Sequence, residues 1–239
     1  MYCLEFCEKK FDLEDTFNSG FFESRTKLIT HRDDRRVREK ICKILNRNLV
    51  SNNAVNFIYN LNRTGILDIL LPDLENLRQV TQTKKGKVNN AYIHTLKVIE
   101  QSKSDLTQRW ASLFHDTGKF DCYVKWHSNN ANDLHFYGHE KYSRDHAENF
   151  FRSFPEMLEV KDIIRVLKIV EFHMLPLDYQ RNPNWSFSAI KRFVDKVGKD
   201  YVFDVIDLAI ADKKATNPNP EYIKILQNMS VRVKGCIDG

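Results

Sequence analysis

The stretch Ala111-Ser112-Leu113-Phe114-His115-Asp116-Thr117-Gly118-Lys119 decides how this chain is read. An apolar helical run ends there in a histidine, an aspartate, a glycine and a lysine. Such a run is expected to be buried, and an imidazole beside a carboxylate is unfavourable in an interior unless both find partners. The most effective single partner for the pair is a divalent cation. Gly118 is expected to stop the helix, leaving Lys119 just past it and free to turn toward an anion held at the metal. An isolated His-Asp pair also serves as a cap or as half of a salt bridge, so its meaning depends on the rest of the chain.

Outward from this stretch, apolar residues recur at helical spacing. Val37, Ile41, Ile44 and Leu45 mark one helix, and Val55, Ile58 and Leu61 mark another that Gly65 closes. Residues 65–72 read as a short apolar turn of helix that Pro72 ends or bends. Residues 81–90, polar and containing Gly86, read as a loop joining an N-terminal helical part, residues 1–80, to a larger part, residues 81–239. A helix from about Ala91 carries Ile93, Leu96, Val98 and Ile99, with His94 among them. Phe120 to Trp126 and Leu134 to Tyr137 are short aromatic runs around the polar residues 128–133, and they predict a small β-hairpin. Further helices are predicted from His139 to about Phe151, from Val160 to His173, from a Ser186 or Ser188 cap to Gly198, and through Val202, Val205, Ile206, Leu208, Ala209 and Asp212. The expected fold is all-α, a helical bundle with one inserted β-hairpin.

Composition narrows the class. The 239 residues are 42% apolar, enough to bury a core. Five cysteines, an odd number with no Cys-x-x-Cys pair, suggest neither a disulfide framework nor a zinc knuckle, and so point to a reducing compartment. No apolar run approaches a membrane span and no signal-peptide core opens the chain, so a cytoplasmic protein without membrane contact is expected. The net charge of +5 is unevenly spread: residues 1–24 hold six acids against two lysines, whereas residues 25–48 hold nine Lys/Arg against Asp33, Asp34 and Glu39. A basic helix of this kind attracts polyanions, RNA foremost; a solvated face laced by pairs such as Glu39 with Lys43 is the plainer reading.

His94, His115, Asp116, His139, His173 and Asp212 fall in or at the ends of different predicted helices, the adjacent pair apart, and a bundle can point all of them at one place. In this order they resemble the ligand series of the HD superfamily of metal-dependent phosphohydrolases. The resemblance implies that His94, His115, Asp116 and Asp212 hold one metal and that His139 and His173 add ligands for a second. Mixed imidazole and carboxylate ligation suits Mn, Ni, Co, Fe, Zn or Mg and does not name the ion.

Leu71-Pro72-Asp73-Leu74, Tyr92-Ile93-His94-Thr95-Leu96, His135-Phe136-Tyr137-Gly138-His139-Glu140, Phe172-His173-Met174, Lys191-Arg192-Phe193 and Ile210-Ala211-Asp212 further resemble the HD domain of bacterial CCA-adding tRNA nucleotidyltransferases. Arg35-Arg36-Val37-Arg38-Glu39 and Thr64-Gly65-Ile66-Leu67 resemble the helical neck before it. Neither the glycine-rich nucleotide-binding turn nor the paired Asp-x-Asp of the polymerising head is found, so transfer of CCA is not expected.

The resemblance implies metal-assisted hydrolysis of a phosphomonoester or 2′,3′-cyclic phosphate on a nucleotide or an RNA (tRNA) end, with one or two divalent ions. Asp116 and Lys119 would be catalytic, Lys119 and Arg192 would contact phosphate, and Arg35, Arg36 and Arg38 would hold an RNA backbone. The alternatives are a phosphodiesterase of cyclic or bridged dinucleotides, a di-iron oxygenase and a non-catalytic RNA-binding module. His127, His135 and His146 are read as structural or exposed, although His146 lies seven residues after His139 and could share its face. Asp204 and Asp207 are read as helix acids, and Trp126 and Trp185 as packing residues.

Overall fold

The computed structural model describes residues 33–84, 87–127 and 136–239. The acidic segment 1–24, the first part of the basic window, the polar residues 128–133 and His135 lie outside the described residues, as do the side chains of Trp126 and His127.

The described chain is mostly helical, in keeping with the periodicity. Its elements are α1 (Arg35–Leu49), α2 (Ala54–Arg63), α3 (Leu67–Leu70), α4 (Pro72–Asn76), a 3-10 turn (Leu77–Gln79), β1 (Thr81–Lys84), β2 (Lys87–Asn90), α5 (Ala91–Gln101), α6 (Leu106–Phe114), α7 (Lys119–His127), α8 (His139–Ser153), α9 (Val160–Phe172), α10 (Leu175–Arg181), α11 (Phe187–Val197), α12 (Val202–Thr216) and α13 (Pro220–Asp238). Among the described residues, no helix is long and apolar enough to cross a membrane.

Helix α6 is the central element. Every residue from Thr107 to Phe114 is buried, and α6 packs against α1, α5, α8, α9 and α12. Its start is fixed by Asp105, whose side chain accepts the Gln108 amide, the usual remedy for an orphan donor in a first helical turn. Trp110 and Phe114 stack 5.9 Å apart and meet Phe150 and Phe151 of α8. Arg109, also buried, donates to the carbonyls of Ile99 and Lys103. It thereby satisfies a carbonyl in the last turn of α5, the helix that carries His94, and one just beyond it.

The N-terminal helices share this core. Asn46 of α1 accepts from the Trp110 indole and donates to Met157 O, and buried residues from Ile41 to Val233 form one continuous apolar cluster. Toward the far end of the chain α13 buries Leu226, Met229 and Val233 and packs on α10, α11 and α12.

Two sequence expectations are corrected. The inserted β-hairpin is not supported: its first run, Phe120 to Trp126, lies within α7, and Leu134 and His135 of its second run lie outside the described residues. The aromatic and β-branched composition of the run suggests a strand, but Phe120 and Tyr123, three residues apart, both pack on the core while Val124 and Lys125 face solvent. That is the period of a helix. The second correction concerns residues 81–90, read as a loop. Residues 81–84 and 87–90 form antiparallel strands, with Thr81 opposite Asn90 and Lys84 opposite Lys87, a short ladder consistent with the β-branched Thr81, Thr83 and Val88.

Candidate metal centre

Histidines at helix ends build the site. His115 and His173 are the C-caps of α6 and α9, and His139 is the first residue of α8. The last carbonyls of a helix lack an amide partner. Here Ser112 O and Val170 O, in the last turns of α6 and α9, meet the Nδ1 atoms of His115 and His173 at 2.8 and 2.7 Å. Phe136 O meets His139 Nδ1 at 2.7 Å. A carbonyl only accepts, so each of these imidazoles carries its proton on Nδ1 and presents the lone pair of Nε2 inward.

The inward atoms converge. His115 Nε2 lies 3.4 Å from His94 Nε2, and His139 Nε2 lies 3.2 Å from His173 Nε2. His94 Nε2 is also 3.2 Å from Asp212 Oδ1. Asp116 stands between the groups: Oδ2 is 3.4 Å from His94 Nε2 and 3.3 Å from His115 Nε2, while Oδ1 is 3.2 Å from His139 Nε2 and 3.9 Å from His173 Nε2. Two triads result, His94-His115-Asp212 and Asp116-His139-His173, each with its ligand atoms within 4.8 Å of one another. Asp116 offers one oxygen to each side.

The donor chemistry fits a divalent cation. Metal–nitrogen bonds of about 2.1 Å set neighbouring ligand atoms roughly 3.0–3.4 Å apart around an octahedral or tetrahedral ion, close to the Nε2–Nε2 separations seen here. Four imidazoles and two carboxylates face one ammonium, that of Lys119, whose Nζ lies 2.6 Å from Asp116 Oδ2.

Electrostatics agree with this. Burial pushes the Asp116 carboxyl up, but His115, Lys119 and His139 outweigh it and hold it well below the usual carboxylate range. Asp212 is likewise pushed up by burial, and the hydrogen bond and charge of His94 together with His115 outweigh this and leave it lowered. Burial lowers His115, yet the adjacent Asp116 leaves it raised. Burial, reinforced by His139 and His115, brings His173 down to about 3. His173 is therefore neutral and available as a ligand at ordinary pH.

All six ligand candidates read from the sequence are thus brought together, and Lys119 joins them. Contrary to expectation, Lys119 is not free: it is the first residue of α7 and is paired with Asp116, its ammonium 5.6 Å from the Phe136 ring centroid. Gly118 is explained differently from the expectation. A Cβ there would sit 2.3 Å from His139 O and 2.6 Å from Ser143 N, so glycine permits the α6–α7 turn to press against α8.

The remaining candidates lie apart from this cluster. Arg192 is exposed on α11 with no side-chain hydrogen bond or ion pair among the described residues. On α1, Arg35 pairs with Glu39 at 2.9 Å and Arg36 is exposed. Arg38 makes a two-pronged contact with Glu156 at 3.0 and 2.9 Å and donates to Asp33 O, so its guanidinium is engaged within the fold. Asp204 and Asp207 are indeed helix acids, bound by Arg165 and Lys103, and Trp185 packs edge-on against Tyr179 and Phe193.

Sequence reasoning missed the residues behind the ligands. Thr216 Oγ1 lies 3.1 Å from Asp212 Oδ1, and Ser143 Oγ accepts the Gly118 amide at 2.9 Å. Each is four residues from a ligand on the same helix, a spacing visible in the sequence but shared by many ordinary helix positions.

The chain is similar to bacterial tRNA nucleotidyltransferases. It is 30% identical over 204 residues, 79% of its length, to a CC-adding tRNA nucleotidyltransferase of Thermus thermophilus, and 25% identical over 185 residues, 75% of its length, to an A-adding tRNA nucleotidyltransferase of Deinococcus radiodurans. A multifunctional CCA protein of Pseudomonas fluorescens is 38% identical over 85 residues, 34% of the chain. The matches cover 42%, 39% and 21% of those proteins, so the chain spans about two fifths or less of the relatives' length. No protein-family model matches the chain.

Proposed function

We propose that this chain is an HD-type metal-dependent phosphohydrolase acting on phosphomonoester or 2′,3′-cyclic phosphate groups of nucleotides or RNA ends. One observation carries the reading: six buried or nearly buried ligand atoms converge, with the Nε2 lone pairs of His115, His139 and His173 aimed inward and Asp116 shared between two triads. His94, His115 and Asp212 would hold one ion, and Asp116, His139 and His173 a second. A divalent ion supplies Lewis acidity toward a phosphoryl oxygen and makes water a usable nucleophile near neutral pH.

The protein's own groups do the remaining work. Asp116 holds the two triads in register and draws Lys119 inward. Lys119, with 13% of its side chain exposed, is the cation closest to the cluster, placed to bind a phosphoryl oxygen and to stabilise charge developing on it. The carbonyls of Ser112, Phe136 and Val170 fix the imidazole tautomers, so that no ring must reorient during turnover. The named activity of the relatives on tRNA supports an RNA end as substrate, and the N-terminal helices, with Arg35 and Arg36 at the start of α1, would serve as the neck-like part that meets its backbone.

The test is metal analysis of the purified protein, followed by a phosphoester screen with that metal present. The expected outcome is metal-dependent release of phosphate, or opening of a 2′,3′-cyclic phosphate, that Asp116→Ala abolishes. An active Asp116→Ala protein would overturn the hydrolase reading. Preference for a cyclic or bridged dinucleotide over every mononucleotide and RNA end would replace the substrate and leave the centre standing.

A further inference from the structure

Three residues of α8 lie along one helical face at positions i, i+4 and i+7: His139, Ser143 and His146. They meet three consecutive residues of the α6–α7 turn. His139 Nε2 faces Asp116 Oδ1 at 3.2 Å, Ser143 Oγ accepts from the Gly118 amide at 2.9 Å, and His146 Nδ1 is 3.2 Å from Thr117 Oγ1. Only the first of these contacts involves a candidate ligand on both sides.

We propose that Ser143 and His146 are positioning residues that fix Asp116 between the two triads, acting through the Thr117 hydroxyl and the Gly118 amide. The inference rests on the metal reading above and adds how the bridging carboxylate is held. Asp116 has few side-chain torsions, so where its two oxygens fall is set by the backbone that follows it. The next two residues are both held by α8, Thr117 through its hydroxyl and Gly118 through its amide. Ser143 is fully buried and provides the acceptor for a buried amide that would otherwise lack one, a deficit that leaves a donor stripped of water without a replacement partner. Gly118 permits the approach, because any side chain there would collide with His139 O and the Ser143 amide.

His146 grips the turn from further along the helix. The Thr117 hydroxyl donates to Phe114 O at 3.0 Å, which leaves its oxygen to accept from His146 Nδ1. On the other side, His146 Nε2 lies 3.3 Å from Asp121 Oδ2 and 3.8 Å from Asp73 Oδ1, so the ring is enclosed between the α6–α7 turn and side chains of α7 and α4. These partners of His146 all lie outside the six candidate ligands, and its influence on the ligands passes through Thr117.

Cobalt titration of the metal-free protein tests this. Wild type, Ser143→Ala, His146→Phe and His146→Asn are titrated with Co2+, reading the equivalents bound by calorimetry and the visible absorption band of the bound ion, with the Tm of each metal-free protein alongside. Ser143→Ala and His146→Phe are expected to weaken the equivalent that involves Asp116, His139 and His173 by about 10–100-fold, the range typical of groups that support metal ligands, and to shift its band. The equivalent at His94-His115-Asp212 is expected to persist. His146→Asn, whose amide can donate from the Nδ1 position, should restore wild-type binding, and the two His146 variants still decide the matter if Ser143→Ala does not fold. Variants that bind as wild type does, or that lose all cobalt in step with a fall in Tm, overturn the positioning role. A wild type that takes up no cobalt overturns the metal reading itself, and this inference with it.

Discussion

His139 Nε2 and His173 Nε2 face each other across 3.2 Å, although the Nδ1 of each is already engaged by a backbone carbonyl three residues earlier. Two lone pairs held at that distance need a positive charge between them, either a proton or a metal ion. Burial holds His173 down at about 3, which disfavours the proton. The pair is therefore suited to a cation, and a second pair of ring nitrogens, His94 Nε2 and His115 Nε2, meets nearby at 3.4 Å.

Metal stoichiometry follows from the division into two triads. Wild-type protein should bind two divalent ions per chain, and His139→Ala or His173→Ala should reduce this toward one. Elemental analysis after gel filtration reads the number directly. Unchanged stoichiometry in both variants would return these histidines to structural roles.

The metal-free protein should lose stability on mild acidification. His173 is depressed from an ordinary 6.5 to about 3 in the folded state, so between those limits the unfolded chain binds the extra proton. Stability rises with pH wherever the unfolded state holds more protons. The contribution of His173 is thus fully present above about 6.5 and is lost as pH falls toward 3. Denaturant midpoints measured from about pH 4 to about pH 7, within the window that this linkage defines, should increase, and His173→Gln should flatten the rise. A slope unaffected by that substitution would count against a buried neutral His173.

Gly118→Ala should be among the most damaging single-methyl additions in the chain. The added carbon falls 2.3 Å from His139 O and 2.6 Å from the Ser143 amide nitrogen, both backbone atoms that cannot rotate aside. Overpacking of this kind typically costs about 1–3 kcal/mol. Gly138→Ala gives a contrast, because it meets nothing within 4 Å but has a φ of +80°, so its cost is conformational. Thermal melts of the two variants, with metal retention, should show lower stability in both but displacement of the Asp116 side only in Gly118→Ala.

What is legible in the sequence depends on which physical signals are local. The series of candidate ligands is readable because every member sits among apolar residues at a helix end or on a buried helix face, and α1, α5, α9 and α12 are readable because their buried faces repeat every three or four residues, whereas α6, buried all round, reads only as an apolar run. Helix α7 is not readable, since Phe120, Tyr123 and Trp126 favour strands by composition and only the packing of Phe120 and Tyr123 on the core reveals the helical period. Residues 222–239 carry no motif that assigns them a role, yet Leu226, Met229 and Val233 prove to be the buried stripe of α13. Ser143 leaves no trace, because its hydroxyl matters only to an amide 25 residues earlier in the chain.

The basic helix gives the last prediction, and the structure divides its arginines into two kinds. Arg38 is held by both oxygens of Glu156, on the segment between α8 and α9, so Arg38→Gln should lower Tm and affect RNA and mononucleotide substrates alike. Arg36 is exposed, and Arg35 pairs with Glu39 on its own helix with most of its side chain in solvent, a type of surface pair that contributes little and exchanges readily for a phosphate. Neutralising Arg35 and Arg36 together should therefore leave Tm and mononucleotide turnover unchanged while raising KM for an RNA end. The salt dependence of RNA binding should also become shallower, by about 0.7 in log–log slope for each phosphate of a single strand that the protein no longer neutralises. Phosphate contacts position the chain without reading sequence, so the weakening should be the same for RNA ends of different sequence. Equal effects on RNA and mononucleotide in the Arg35 and Arg36 variant would assign that end of α1 to the fold, and the RNA would then have to be met elsewhere on the surface.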